Sequence, residues 1–204
     1  MSILDSLFRK LKNEVKNSVE KEIVNSVKTP SGATVVKSVP YKFDTLPKTV
    51  EDMRSLPGAD HKDPFAVAAL TVAALCVFPE NRDESVEMLN YLRGPHPLSP
   101  MDVSFIRDRF MDGVDYVPRS YFNGASVDND YAPAVPYTIN VLELVHSKDN
   151  YNEGYYRLFL RSGGADSERY LDLRHKPSTD EWFVWEFGGL LVGIRTPKSK
   201  DPWA

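Results

Sequence analysis

Few residues in this 204-residue chain are equipped for chemistry, and they are scattered. Four histidines, His61, His96, His146 and His175, could in principle ligate a metal or move a proton. None has a second His, Cys or carboxylate at a ligand spacing such as HExxH, and all fall in expected loops or strand ends, which is the pattern of surface imidazoles. The single cysteine, Cys76, stands in an apolar Ala-rich run with no basic neighbour in sequence. A thiol becomes a nucleophile when its pKa is lowered by such neighbours, so Cys76 reads as a reduced, buried thiol, and a lone cysteine excludes an internal disulfide. These residues supply no catalytic group, no metal ligand set and no cofactor motif.

The stretch Arg161-Ser162-Gly163-Gly164-Ala165-Asp166-Ser167 has the composition of a phosphate cradle. It lacks both GxxxxGK[ST] and GxGxxG, and its glycines join two expected strands rather than opening a helix. A tight hairpin connection explains it better, with glycine supplying positive φ and Asp or Ser bonding its own backbone. Every-other-residue alternation places Arg157, Phe159 and Arg161 opposite Tyr156, Leu158 and Leu160, and the next strand adds Asp172 and Arg174. Were these to share a concave face with Tyr155, Tyr170 and Arg195, they would form an aromatic and cationic surface able to hold an anionic ligand or an acidic peptide. An ordinary solvated sheet face is the simpler alternative. The aromatic segment Tyr116 to Phe122 could contribute Arg119 and Tyr121 to a site, or could pack across a helix-to-sheet junction. The candidate ligand-binding residues are therefore Arg119, Tyr121, Arg161, Asp166, Arg169 and Arg174.

The elements that must position these side chains follow from periodicity. Asp63-Pro64 followed by the apolar run Phe65 to Phe78 predicts a central buried helix ended by Pro79, too short at 14 positions for the roughly 20 that a bilayer requires. Thr49-Val50-Glu51-Asp52 predicts a capped helix start, Asp83 can cap a helix through Leu92, and Ser99-Pro100-Met101-Asp102 starts another. From Pro136 the period becomes two. Strands are expected over Tyr137–Val145, Tyr155–Arg161, Tyr170–Arg174, Trp182–Phe187 and Leu190–Arg195. Within the fourth, Trp182, Phe183, Trp185 and Phe187 serve both faces, with at least half of them in the core. Helices first and a meander second give an α+β fold in which helices cover one face of a four- to five-stranded antiparallel sheet, with a cone-like sheet as one form of it. The expected domain occupies residues 49–204, behind a tether or edge segment at 31–48.

Ahead of that domain, residues 1–30 form a separate element. Leu4, Leu7, Phe8, Leu11, Val15, Val19 and Ile23 recur at three- and four-residue spacing, continued by Val27, with charged and polar residues between them. An amphipathic helix over residues 3–27 is predicted. Its apolar stripe requires a cover: a membrane surface, a second copy of itself, a protein partner, or the domain. Residues 1–30 carry six basic and four acidic side chains, an excess of +2, which leaves −6 on the remainder of a chain whose net charge is −4. That excess would add only about 2 kcal/mol at an anionic bilayer. An acidic body excludes general nucleic-acid binding, which rests on basic surface. With no apolar leader before a small-residue cleavage site, a cytoplasmic protein is expected, peripheral at the inner membrane face if the helix binds lipid.

The strings Leu98-Ser99-Pro100, Phe105-Ile106-Arg107-Asp108-Arg109-Phe110, Tyr116 to Phe122, Arg161 to Ser167 and Asp201-Pro202-Trp203-Ala204 resemble a family of uncharacterised bacterial proteins common in anaerobic Firmicutes, over roughly Leu46 to the C-terminus. That resemblance implies a single domain of unknown function and transfers no activity, cofactor or site residue. In element order and in its tryptophan-rich late strand the chain is also similar to nuclear transport factor 2-like proteins, a cone-shaped fold that hosts enzymes and binding proteins alike. The sequence points to a non-enzymatic binding or adaptor domain of unknown ligand. The alternative is a small-molecule enzyme or carrier with a pocket between helices and sheet, where Arg119, Arg161, Asp166 and Arg169 would be examined first.

Overall fold

A computed structural model describes residues 28–203. The amphipathic helix expected over residues 3–27, with its stripe from Leu4 to Ile23, lies outside the described residues.

Helix formation follows the capping chemistry of the sequence. Thr49 and Asp52 exchange side-chain and backbone hydrogen bonds as a capping box that starts α1 (Val50–Arg54). Asp63 accepts from the Phe65 N–H and Pro64 begins α2 (Pro64–Val77). Every residue of α2 except Pro64 and Cys76 is buried, as a helix apolar on all sides must be. Its alanines let α3 (Arg82–Arg93) approach closely, and the Ser85 hydroxyl donates to the Ala74 carbonyl at 2.8 Å. Asn81, not the expected Asp83, caps α3 by accepting from the Glu84 N–H. Asp83 instead adds negative charge to the first turn, where the helix dipole favours it. Helix α4 (Pro100–Arg109) begins with a second capping box between Ser99 and Asp102.

Five strands, β1 (Val35–Phe43), β2 (Tyr137–Leu144), β3 (Tyr155–Leu160), β4 (Arg169–Lys176) and β5 (Glu181–Glu186), form one antiparallel open sheet in sequential order. The fold is α+β, with the helices α1 to α4 preceding the β2–β5 meander. Two findings differ from the periodicity. Residues 35–43, in the segment read as a tether or edge, form the edge strand β1, paired with β2 from Val35–Leu144 to Phe43–Tyr137. An edge is where Pro40, which has no N–H to donate, is tolerated, and where Lys37 and Lys42 discourage further strand addition. The strand expected at Leu190–Arg195 is instead a 3₁₀ turn over Gly188–Leu191 followed by unpaired chain. There Leu190 and Leu191 are both buried, and the Leu190 carbonyl is taken by the Tyr121 hydroxyl at 2.6 Å.

One sheet face packs on α2 through Ile139, Val141, Leu158, Leu160, Leu171, Leu173 and Val184, all at most 1% exposed. Each fully buried aliphatic side chain of this kind contributes about 1.5–3 kcal/mol. Trp182 and Phe187 join this core while Trp185 stays 41% exposed. The segment Tyr116 to Phe122 packs at the helix-to-sheet junction, with Tyr116 stacked on Tyr131 at 5.5 Å. No helix among the described residues is long and apolar enough to cross a membrane.

Candidate functional site

Because the helices occupy one face, alternation directs the other half of the strand residues outward. Tyr155, Arg157 and Phe159 on β3 stand opposite Arg174, Asp172 and Tyr170 on β4. Arg157 bonds Asp172 through two nitrogens, at 2.7 and 2.8 Å, and lies 4.0 Å over the Tyr170 ring. Arg174 lies 4.2 Å over Tyr155. Trp185 meets Tyr155 edge-on at 5.9 Å and stacks on His96 at 5.0 Å. A planar guanidinium over an aromatic ring gains cation–π attraction while remaining able to donate hydrogen bonds.

These side chains floor a hollow of about 310 Å³ whose wall is the loop joining β2 to β3. Tyr155, Arg157, Phe159, Asp172 and Trp185 form the floor, and His146, Asp149, Asn150 and Glu153 form the rim. The loop is fastened from below. Glu143, only 6% exposed, accepts from the Tyr156 hydroxyl at 2.6 Å and from Lys148 Nζ at 2.7 Å. Burial, and then the Glu143 carboxylate, push the Tyr156 phenol well above its ordinary value, so it stays protonated and donates. The Ser147 hydroxyl accepts from the Leu144 N–H at 2.9 Å, the Ser147 carbonyl accepts from the Arg157 N–H at 3.1 Å, and Arg174 bonds the Glu153 carbonyl. The wall is thus tied to the strands that make the floor.

A second hollow of about 410 Å³ lies on the same face at the β1–β2 end, lined by Lys28, Val36, Ser38, Asn140, Leu142 and Arg161 among others. Leu142 and Phe159 are register partners on adjacent strands, so the two hollows adjoin. Around the first hollow Asp149, Glu153, Asp172 and Glu186 outnumber Arg157 and Arg174, while at the second Lys28 and Arg161 are the basic groups, with Asp166 and Glu168 sharing a small cleft with Arg161.

Of the six residues singled out in the sequence, only Arg161 and Asp166 share a cleft, a small one of about 40 Å³ with Glu168, and the six form no single site. Arg174 borders the first hollow and Arg161 lines the second. Arg119 pairs with Asp115 at 3.3 Å, and Tyr121 is 3% exposed. Asp166 pairs with Arg195 at 3.4 Å. Arg169 holds the carbonyls of Val192 and Gly193 at 2.9 and 2.7 Å, fixing the chain after Leu191. Trp185 was named only among four aromatic residues serving both faces of its strand, and Asp149 and Glu153 were not singled out. Alternation puts Trp185 opposite Trp182 and Val184, and the polar turn-rich run Ser147 to Gly154 was the signal for the loop.

The Gly163-Gly164 loop is a hairpin connection between β3 and β4, but its glycines serve close approach instead of positive φ. A Cβ on Gly163 would collide with the Ala125 carbonyl, and one on Gly164 with the Tyr131 hydroxyl. Ser162 Oγ does accept from the Gly164 N–H, at 3.0 Å. The histidines are less uniform than surface imidazoles. His61 is 6% exposed, bonded through Nε2 to the Tyr91 carbonyl at 3.1 Å and flanked by Tyr91 and Phe183. Burial holds its pKa below the ordinary value, which keeps it neutral. His175 stacks on Trp182 at 4.5 Å. Burial pushes the Cys76 thiol up to about 12, a poor nucleophile. That thiol lines a groove of about 760 Å³ with Leu46, Pro47, Val77, Val135 and Tyr137. Among the described residues no three His, Cys, Asp or Glu side chains gather as a metal site.

A family model described as a domain of unknown function, DUF6935, matches residues 45–198. The chain belongs to the DUF6935 family. The DUF6935 match starts just past Phe43, so it takes in β2 to β5 and all four helices and leaves out β1. A comparison with curated proteins found no match, and neither did one with solved structures.

Proposed function

We propose that this DUF6935 protein is a binding module that receives a basic amphipathic peptide segment on the outer face of its sheet. The observation that carries this reading is the row of half-exposed aromatic rings, Tyr155, Phe159, Tyr170 and Trp185, bordered by Asp149, Glu153, Asp172 and Glu186. A contiguous exposed aromatic surface with a charged rim is the composition of a recognition patch. Arg157 is held by Asp172 and Arg174 by Tyr155 and the Glu153 carbonyl, and four carboxylates against these two arginines leave the patch acidic. Basic side chains find the carboxylates of Asp149, Glu153 and Glu186 there, and apolar side chains find Phe159 and Trp185.

The test uses the full chain and two designed helical peptides, one of Leu and Lys and one of Leu and Glu, followed by nuclear magnetic resonance. Saturable movement of the Trp185 indole N–H and the Asp172 amide with the Lys peptide, and none with the Glu peptide, is the expected result. Silence at those signals overturns the reading. Movement confined to residues 44–49 and 76–81 would favour a small-molecule or peptide carrier using the groove beside Cys76 instead.

A further inference from the structure

We infer that residues 3–27 of the same chain are the resting occupant of the outer sheet face, so that the module carries its own competitor. This inference rests on the peptide-binding reading above.

The first support is where the described chain begins. Lys28 bridges to Thr34 across a turn in which the Thr29 N–H bonds the Ala33 carbonyl at 2.8 Å. Lys28 and Thr29 then line the hollow at the β1–β2 end together with Val36, Leu142 and Arg161. The chain before residue 28 therefore starts at one end of the outer face and not in the helix layer. The second support is length. A helix over residues 3–27 would run about 37 Å at 1.5 Å per residue, and five strands span about 19 Å at 4.8 Å per spacing, so the segment is long enough to cross the face.

The third support is the pattern of charge. Residues 1–16 carry Arg9, Lys10, Lys12 and Lys16 against Asp5 and Glu14, whereas residues 17–27 carry Glu20 and Glu22 against Lys21. Laid across the face from residue 28 at 1.5 Å per residue, Glu22 and Glu20 come about 9 and 12 Å along, in reach of Arg161, and Lys16 comes about 18 Å along, at the side that carries Glu186. A segment running from residue 28 toward β5 thus presents its acidic part first and its basic part after it, in the order that suits the charges beneath. Of its stripe, Ile23, Val19 and Val15 then lie over Leu142, Phe159 and Trp185 in turn. A free peptide must displace this cover, and its apparent affinity is reduced by the fraction of open molecules.

Two measurements on the full chain test the inference. In the first, V15E/V19E removes the part of the stripe that would lie over the face and is titrated with the Leu and Lys peptide. A segment that covers the face about nine-tenths of the time lowers apparent affinity about tenfold, so the variant should bind about tenfold more tightly. Equal affinity of the two proteins overturns the inference while leaving peptide binding intact. Absence of binding to both overturns the peptide reading. In the second, a nitroxide at V15C in a C76A background should broaden the Phe159 and Asp172 amides within the same molecule, and this broadening should persist at tenfold dilution. Broadening found only between mixed labelled and unlabelled molecules would assign the face to a second copy. No broadening without vesicles, with the protein sedimenting on vesicles of three parts phosphatidylcholine to one part phosphatidylglycerol, would assign the segment to lipid. Either result overturns the inference.

Discussion

Arg157 grips Asp172 through two parallel hydrogen bonds, Nε to Oδ1 at 2.7 Å and Nη2 to Oδ2 at 2.8 Å, while its guanidinium plane covers Tyr170. The pair holds β3 to β4 side chain to side chain on the outer face and fixes the floor of the candidate site. Asp172 raises the pKa of Arg157, the hydrogen bond being the largest cause. The pair is partly exposed, at 43% and 18%, so its direct contribution to stability is at most about 1 kcal/mol.

Lysine cannot reproduce the fork or the stacking of arginine. R157K should therefore lower the thermal midpoint only slightly yet weaken the Leu and Lys peptide several-fold, as read by titration of the Trp185 indole signal. Unchanged binding would remove the pair from the site.

His61 gives the fold a pH dependence in the range of imidazole titration. Its folded-state pKa lies below the ordinary 6.5 because of burial, so below pH 6.5 the unfolded chain takes up a proton that the folded chain refuses. Stability is full above about 6.5 and falls as the pH drops toward the folded value. H61N keeps a residue tolerant of the positive φ of 64° and cannot titrate. Chemical denaturation at pH 7.5 and 5.5 should show a loss for the native chain and a smaller one for H61N.

The Gly163 and Gly164 positions leave no room for a methyl group, since Gly163 faces the backbone carbonyl of Ala125 and Gly164 the Tyr131 hydroxyl, which is bonded to the Arg195 carbonyl. G163A and G164A should each cost roughly 2 kcal/mol or more, in the manner of an overpacked core. Circular dichroism melts check this, and a shift of under 1 °C would contradict it.

Glu143 and Tyr156 test how the loop wall is held. Y156F leaves the Glu143 carboxylate with Lys148 as its partner and should cost about 1–3 kcal/mol, the range for a buried acceptor that loses a donor. Faster amide exchange should spread from Ser147 to Gly154 and spare α2. Uniform acceleration across the molecule would show that the pair supports the whole fold and not that loop in particular.

Much of this fold was legible because its signals are local. Thr49, Asp63 and Ser99 announced helices by chemistry confined to three or four residues, and alternation from Tyr137 onward described four of the five strands. What could not be read depends on partners far away in sequence. Residues 35–43 carry no strict alternation and contain Pro40, and they form a strand because β2 offers an unpaired edge. Leu190 to Arg195 alternates adequately but finds its hydrogen bonds in Tyr121 and Arg169. At the site the aromatic and arginine face was foreseen from the β3 alternation, whereas the acidic rim was not. Asp149 and Glu153 reach it only because buried Glu143 and Ser147 fold their loop over the strands.

The pairing of β1 with β2 also bears on how the molecule assembles. Strands β2 to β5 join nearest neighbours, so their contacts close short loops and can form early. Val39 meets Val141 only after the chain has looped through all four helices, a separation of roughly one hundred positions that makes this the slowest contact to find. The first strand in the chain is therefore expected to be the last to zip. Until it does, β2 presents a bare ribbon edge to any neighbouring chain during folding.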